Sequence, residues 1–171
     1  MMQIAHFLNV SAALEQLDRA SLKRLRELVR ATKGTIYVCG NGGSFAVAQH
    51  WACDFVKAAS RPARVLSEGS PLLTARANDD GYQTIFTSEV RHWARSGDTL
   101  VCLSCSGTSE NIALALAAAK EGGVTSILLT GTVANDVAPA DHIVRVWSKD
   151  YAVIEDCFSV IGHWLTKEMA E

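Results

Sequence analysis

Apolar positions along this chain recur with two different periods, and the alternation between the periods predicts its elements. Leu8, Ala12, Leu14 and Leu17, then Leu22, Leu25, Leu28 and Val29, fall at helical spacing. They predict two helices joined by a short turn before Thr35, with Asp18 or Ser21 capping the second and Lys33-Gly34 stopping it. Short, continuous apolar runs follow at Thr35 to Cys39, Ala63 to Leu66, Thr99 to Leu103, Val124 to Leu129 and His142 to Val146, each predicting a strand. Between them helical spacing returns from Phe45, from Ser70-Pro71, over Tyr82 to Ala94 and over Glu110 to Glu121. A long helix from Tyr151 to Met169 closes the pattern, and Asn78-Asp79-Asp80-Gly81 and Gly122-Gly123 read as turns.

Strands alternating with helices at this spacing predict an α/β fold: a single doubly wound parallel sheet flanked by helices, with the N-terminal helical pair packed on it. In such sheets ligands bind beyond the carboxyl ends of the strands. Two small-residue turns, Gly40 to Ser44 and Ser104 to Ser109, each follow a strand directly. The architecture therefore brings them to the same side of the sheet, a relation neither motif shows alone.

Length and composition narrow the picture further. With 171 residues the chain is expected to form one domain, 1–171, with 1–34 used for packing and oligomer contacts. Its formal charge of -2 carries no electrostatic footprint for nucleic acid or an anionic membrane. No apolar run reaches the roughly 18 residues of a membrane span and no signal peptide is recognisable, so a cytoplasmic location is expected. The five cysteines sit mostly in apolar runs, as reduced buried thiols do. Cys102 and Cys105 form a CxxC without a second pair, and it is not taken as a metal or redox motif.

The first turn, Gly40-Asn41-Gly42-Gly43-Ser44, is neither a dinucleotide fingerprint, since Phe45 stands where a glycine would be needed, nor a Walker loop, since no Lys follows. A strand leading through glycines into a helix N-terminus still makes an anion site, because unpaired backbone N–H groups face the ligand. The second turn is more telling. Ser104, Ser106, Thr108 and Ser109 surround one glycine at a helix start, and a cap needs only one hydroxyl. Hydroxyls and helix N–H groups together hold a phosphate dianion without Lys or Arg. On the helix after the first turn, His50 and Asp54 stand one turn apart on one face, a spacing that suits an acid/base pair or a shared metal ion. His6, His92 and His142 have no partner at useful spacing and are assigned to surface or packing.

GNGGS after a strand, LSCSGTSEN, and ANDDGYQTIF between them resemble the sugar isomerase (SIS) family, and within it the phosphoheptose isomerase branch, from about Thr35 onward. The resemblance implies a flavodoxin-like SIS fold and conversion of sedoheptulose 7-phosphate to D-glycero-D-manno-heptose 7-phosphate. It implies sugar contacts from Asn41, Gly42, Gly43, Ser44, Asn78 and Asp79, and a phosphate held by Ser104, Cys105, Ser106 and Ser109. His50 matches a metal-binding His of the family, and His163 matches the His that serves as general acid and metal ligand. The family is tetrameric, with sites at subunit contacts, so self-association is implied and a sugar phosphate is the expected ligand. The N-terminal helical part is shorter than the family's, and Phe55 to Leu73 is leaner.

Two residues depart from the family pattern. Asp54 stands where the family has its catalytic Glu, and Glu155 where it has a Gln, yet both keep an acidic or metal-ligating type. Ketose–aldose isomerisation through an enediol needs a carboxylate base, here Asp54, an acid near the carbonyl oxygen, here His163, and stabilisation of the developing oxyanion, which a bound Zn²⁺ supplies. The expected metal set is His50, Asp54, Glu155 and His163, and Glu155 is also counted among the substrate-binding residues. On one straight helix, however, Glu155 and His163 lie ~12 Å apart along the axis and ~80° round it. Either Glu155 lies at an irregular helix start or the ligands come from neighbouring subunits. Two other outcomes stay open: a non-catalytic SIS module that binds a phosphosugar or another protein, and an isomerase for a different phosphosugar.

Overall fold

The computed structural model describes residues 4–67 and 69–170, so the first three positions of the expected helical pair lie outside the described residues. Helices α1 (Ala5–Glu15) and α2 (Arg19–Arg30) come first, then strand β1 (Ile36–Gly40) and helix α3 (Gly43–Lys57). Strand β2 (Ala63–Val65), helix α4 (Ser70–Asp79), a short 3₁₀ turn (Tyr82–Thr84) and helix α5 (Ile85–Trp93) follow. Strand β3 (Thr99–Leu103), helix α6 (Glu110–Glu121), strands β4 (Thr125–Thr130) and β5 (His142–Arg145), and helix α7 (Tyr151–Ala170) complete the chain.

All five strands are parallel, in the order β2-β1-β3-β4-β5. This is the flavodoxin-like order, and its switch point lies between β1 and β3. Buried strands alternate their side chains between two apolar layers. Ile36, Val38, Val101, Leu103, Ile127 and Leu129 join Leu25 and Val29 of α2, Trp51 and Phe55 of α3, and Ile154, Phe158, Ile161 and Leu165 of α7. Tyr37, Cys39, Leu100, Cys102 and Leu128 join Phe86 and Val90 of α5 and Ile112, Ala115 and Leu116 of α6 on the opposite face.

That alternation also disposes of the CxxC. Cys102 and Cys105 belong to opposite layers. Cys102 meets Cys39, its in-register neighbour on β1, with the sulfurs 3.4 Å apart. Burial, and then Cys39 beside it, push the Cys102 thiol well above its ordinary pKa, so it stays protonated.

Several local expectations are refined by what the ends touch. Asp18 caps α2, accepting from the backbone of Ala20 and Ser21, while the Ser21 hydroxyl turns to the Ile143 carbonyl and His142. Helix α2 stops at Arg30, before Lys33-Gly34. Gly34 is needed for another reason: a Cβ there would run into the Asp98 carboxylate, which accepts the Thr35 N–H at 2.7 Å. The Asn78 to Gly81 turn is half helix, since α4 runs through Asn78 and Asp79 and only Asp80 and Gly81 leave it, Gly81 at φ +89°. Among the described residues no helix is long and apolar enough to cross a membrane.

Candidate active site

At the carboxyl end of β1 the chain turns through Gly42 at φ +55°, a backbone angle that favours glycine, and enters α3 two residues earlier than the apolar spacing implied. No side chain caps this helix start. Gly43 lies against the Glu155 carboxylate, whose Cδ would sit 2.8 Å from a Cβ at that position. Glu155 is anchored there because its Oε1 accepts the Ser44 hydroxyl at 2.9 Å and lies 3.8 Å from the Cys105 sulfur. The Gly-rich turn therefore admits the side chain of a helix far along the chain.

The Ser-rich turn after β3 closes the other wall. Ser104 is buried, and its hydroxyl accepts the Gly107 N–H at 3.1 Å; the Ser106 hydroxyl accepts from the Thr108 N–H and hydroxyl. Ser109 is the N-cap of α6 in position, yet its side chain makes no capping bond. A cleft is lined by Asn41, Ser44, Ser104, Cys105, Ser106, Ser109, Tyr151 and Glu155. Its lining contains neither Lys nor Arg, so an anion there is held by hydroxyls and the α6 N-terminus. Burial, with the charge of Glu155 adding to it, pushes the Cys105 thiol up to about 11, so it forms a neutral wall and not a thiolate nucleophile. Replacing Ser109 by alanine is expected to weaken phosphate binding about tenfold with little change in thermal stability, since its hydroxyl supports no cap. Calorimetric titration with inorganic phosphate measures this.

A second cluster lies on the facing sides of α3 and α7. His50 Nε2 and His163 Nε2 are 2.8 Å apart, and Asp54 Oδ2 lies 3.3 Å from the first and 3.7 Å from the second. Both histidines are about half exposed, and Asp54 is 24% exposed. Three ligands bound tetrahedrally to Zn²⁺ at about 2.0–2.1 Å have donor atoms about 3.3 Å apart. The three observed spacings bracket that value, and two imidazoles with a carboxylate form a donor set zinc accepts. The residues fit a zinc ion with one position left for water or substrate. The shorter Asp54 side chain thus reaches the histidine pair without a Glu's extra methylene.

The residues expected to act together separate into two groups. His50, Asp54 and His163 converge; Glu155 does not join them, although it lies in regular α7, but joins Ser44 and Cys105 in the hydroxyl-lined cleft. Asn78 and Asp79 are exposed at the end of α4, where the Asn78 amide donates to the Asp79 carboxylate at 2.7 Å, away from the cleft lining. His6 pairs with Asp156 at 2.7 Å, His92 stacks edge-on with Trp93, and His142 bonds the Ser21 carbonyl, so all three have packing roles.

Two residues at the site carried no role in the sequence. Tyr151 lines the cleft at the start of α7. Asn111 is 2% exposed and exchanges two amide hydrogen bonds with Asn41, of 3.0 and 2.9 Å. An amide on the buried face of an Ala/Leu helix, one turn before Ala115, was the available signal.

With the geometry in place, comparisons with known proteins agree on its class. A model of the SIS domain matches residues 6–131. The phosphoheptose isomerase of Maridesulfovibrio salexigens is 41% identical over 142 residues, covering 79% of this chain and 69% of its own. That of Nitratidesulfovibrio vulgaris is 37% identical over 157 residues, covering 88% and 74%. Among solved structures, phosphoheptose isomerase from Neisseria gonorrhoeae superposes with a TM-score of 0.87 at 31% identity, over 96% of this chain and 95% of that one. The one from Francisella tularensis gives 0.85 at 26% identity, over 97% and 93%. A five-stranded parallel sheet in flavodoxin-like order, a hydroxyl-lined cleft at its switch point and this level of identity lead to one conclusion: the chain belongs to the SIS domain family, in its phosphoheptose isomerase branch.

Proposed function

We propose that this protein is an aldose–ketose isomerase that converts sedoheptulose 7-phosphate to D-glycero-D-manno-heptose 7-phosphate. The observation that carries the proposal is the convergence of His50, Asp54 and His163 from two helices onto one point. A binding module has no need of a carboxylate and an imidazole held within reach of one reacting centre.

The phosphate is held by Ser104, Ser106 and Ser109 at the α6 N-terminus, and the sugar lies along Asn41, Gly42, Gly43 and Ser44, with Glu155 accepting from a hydroxyl. Both histidine contacts of Asp54 run through Oδ2, which leaves Oδ1 to take a proton from C1 of the ketose. His163, through Nδ1 since its Nε2 faces His50 and Asp54, gives a proton to O2 as the enediol forms, then removes the O1 proton while Asp54 returns its own to C2. Atoms and charge balance without a redox partner. His50, Asp54 and His163 would hold a Zn²⁺, and the chemistry it would supply is polarisation of the carbonyl oxygen.

The cleft lining and the His–Asp–His cluster are separate on one chain, and Glu155 and His163 stand two helical turns apart. A site completed by a second copy joins them: the cluster of one chain faces the hydroxyl-lined cleft of another, in a homo-oligomer. Exposed apolar side chains on the elements concerned support this, with Phe7 70% exposed and Leu8 59% on α1, Val56 54% on α3 and Val160 44% on α7.

An assay across C5 to C7 ketose phosphates, with metal analysis of the same sample, tests the activity. Turnover should be highest with sedoheptulose 7-phosphate; none with any ketose phosphate, with or without added zinc, sinks the proposal. Mixing His163→Ala chains with Ser106→Ala/Ser109→Ala chains, each inactive alone, should restore turnover through hybrid sites. A mixture as inactive as its components rules out the shared site.

A further inference from the structure

We infer that Asn111 and Tyr82 are positioning residues that hold Asn41 as a hydrogen-bond donor toward the substrate, an inference that rests on the isomerase proposal. Asn41 Oδ1 accepts twice, from Asn111 Nδ2 at 2.9 Å and from the Tyr82 hydroxyl at 2.9 Å. One N–H of Asn41 Nδ2 goes to Asn111 Oδ1 at 3.0 Å. A side-chain amide has two acceptor lone pairs and two N–H groups. Both lone pairs and one N–H are therefore committed within the protein, and a single N–H remains.

The geometry identifies which one. In a two-bond amide pair each group uses the N–H on the same side as its own oxygen, so the free N–H of Asn41 is the one directed away from the pair. Asn41 lines the cleft beside Ser44, Ser104 and Glu155. It can meet a ligand there only as a donor, and what such a donor recognises is a carbonyl oxygen or an enediolate oxygen, not a hydroxyl proton. A donor fixed before the reaction costs no reorganisation when negative charge develops on that oxygen.

The clamp also couples the two halves of the cleft. Asn41 follows β1, Tyr82 opens the 3₁₀ turn after α4, and Asn111 stands in the first turn of α6, two residues beyond Ser109. A phosphate seated at the α6 N-terminus and the Asn41 N–H are therefore held in register by one short side-chain bridge. Asn111 is 2% exposed, and its two amide hydrogen bonds to Asn41 are lost when the Asn41 side chain is removed.

The test is a double-mutant cycle read by calorimetric binding of a phosphorylated hexonohydroxamate, whose two oxygens copy those of the enediolate, with inorganic phosphate as the control probe. Asn41→Ala should weaken hydroxamate binding roughly 10- to 100-fold, Asn111→Ala about tenfold and Tyr82→Phe about threefold. In the Asn41→Ala background, Asn111→Ala and Tyr82→Phe should each cost less than about twofold, and inorganic phosphate should bind all variants alike. Additive losses, or a parallel loss of phosphate binding, would mean that the two residues only support the fold, and the inference fails. Tyr82 is exposed, so Tyr82→Phe keeps the cycle readable if Asn111→Ala does not fold. Coupling without turnover would uphold the clamp and sink the isomerase proposal; turnover without coupling would do the reverse.

Discussion

Replacing His163 by alanine is expected to lower sugar-phosphate turnover by roughly 10³-fold while leaving the melting temperature within a few degrees. The size follows from the role proposed for it, since a positioned acid contributes about 10²- to 10⁴-fold to a proton-transfer reaction. The small effect on stability follows from its place: the imidazole is 53% exposed and its contacts are to His50 and Asp54, two side chains that water serves equally well. The same substitution removes one of the three converging side chains proposed to hold zinc, so zinc per chain should fall together with activity. Asp54→Ala should match it in both readouts. Steady-state rates with metal analysis and a thermal melt check all three quantities, and activity within tenfold of the parent would remove His163 from the chemistry.

Gly162→Ala is expected to cost about 3 kcal/mol of stability, seen as a fall of roughly 6–12 °C in melting temperature. Alanine is the better helix former by about 1 kcal/mol, and at an exposed helical site it would stabilise the protein. Here a Cβ would run into Trp51 Nε1 and stand 2.5 Å from its Cδ1 and Cε2. Trp51 is 1% exposed, packs edge-on to Phe55 and donates its indole N–H to the Phe158 carbonyl at 3.0 Å. It has nowhere to go, so α7 must move away from α3. Those are the two helices whose separation places His163 beside His50 and Asp54. Loss of stability should therefore come with loss of zinc, and a variant as stable as the parent would show that the helix pair can slide at no cost.

Much of the fold was legible along the chain because its signals are local. One strand and one helix, Thr99–Leu103 and Glu110–Glu121, match the structure at both ends, since Gly and Ser punctuate them on either side. The errors fall where a tertiary contact overrides local preference. Helix α3 begins at Gly43, where glycine makes room for Glu155; α2 stops before Gly34, which clears the Asp98 carboxylate; α4 continues through Asn78 and Asp79 despite their turn preference.

For the site the division is similar. Four hydroxyls in six residues and a His–Asp pair at one-turn spacing are properties of single segments, and they marked the hydroxyl-lined cleft and two of the three members of the His–Asp–His cluster. What no segment contains is the distance between α3 and α7, the separation of Glu155 from His163, or the meeting of Asn41, Asn111 and Tyr82 from three connections. Along the chain alone one reads the alternation of strands and helices, the hydroxyl-rich turn and the residues proposed as acid and base. Only the tertiary structure decided that Asp54 reaches the histidines, that Glu155 lies beside Ser44 and Cys105 and away from them, and that Asn41 is left with one N–H. Periodicity and capping act over a few residues, while these three outcomes depend on packing between helices far apart in the chain, where a glycine facing a tryptophan sets the spacing.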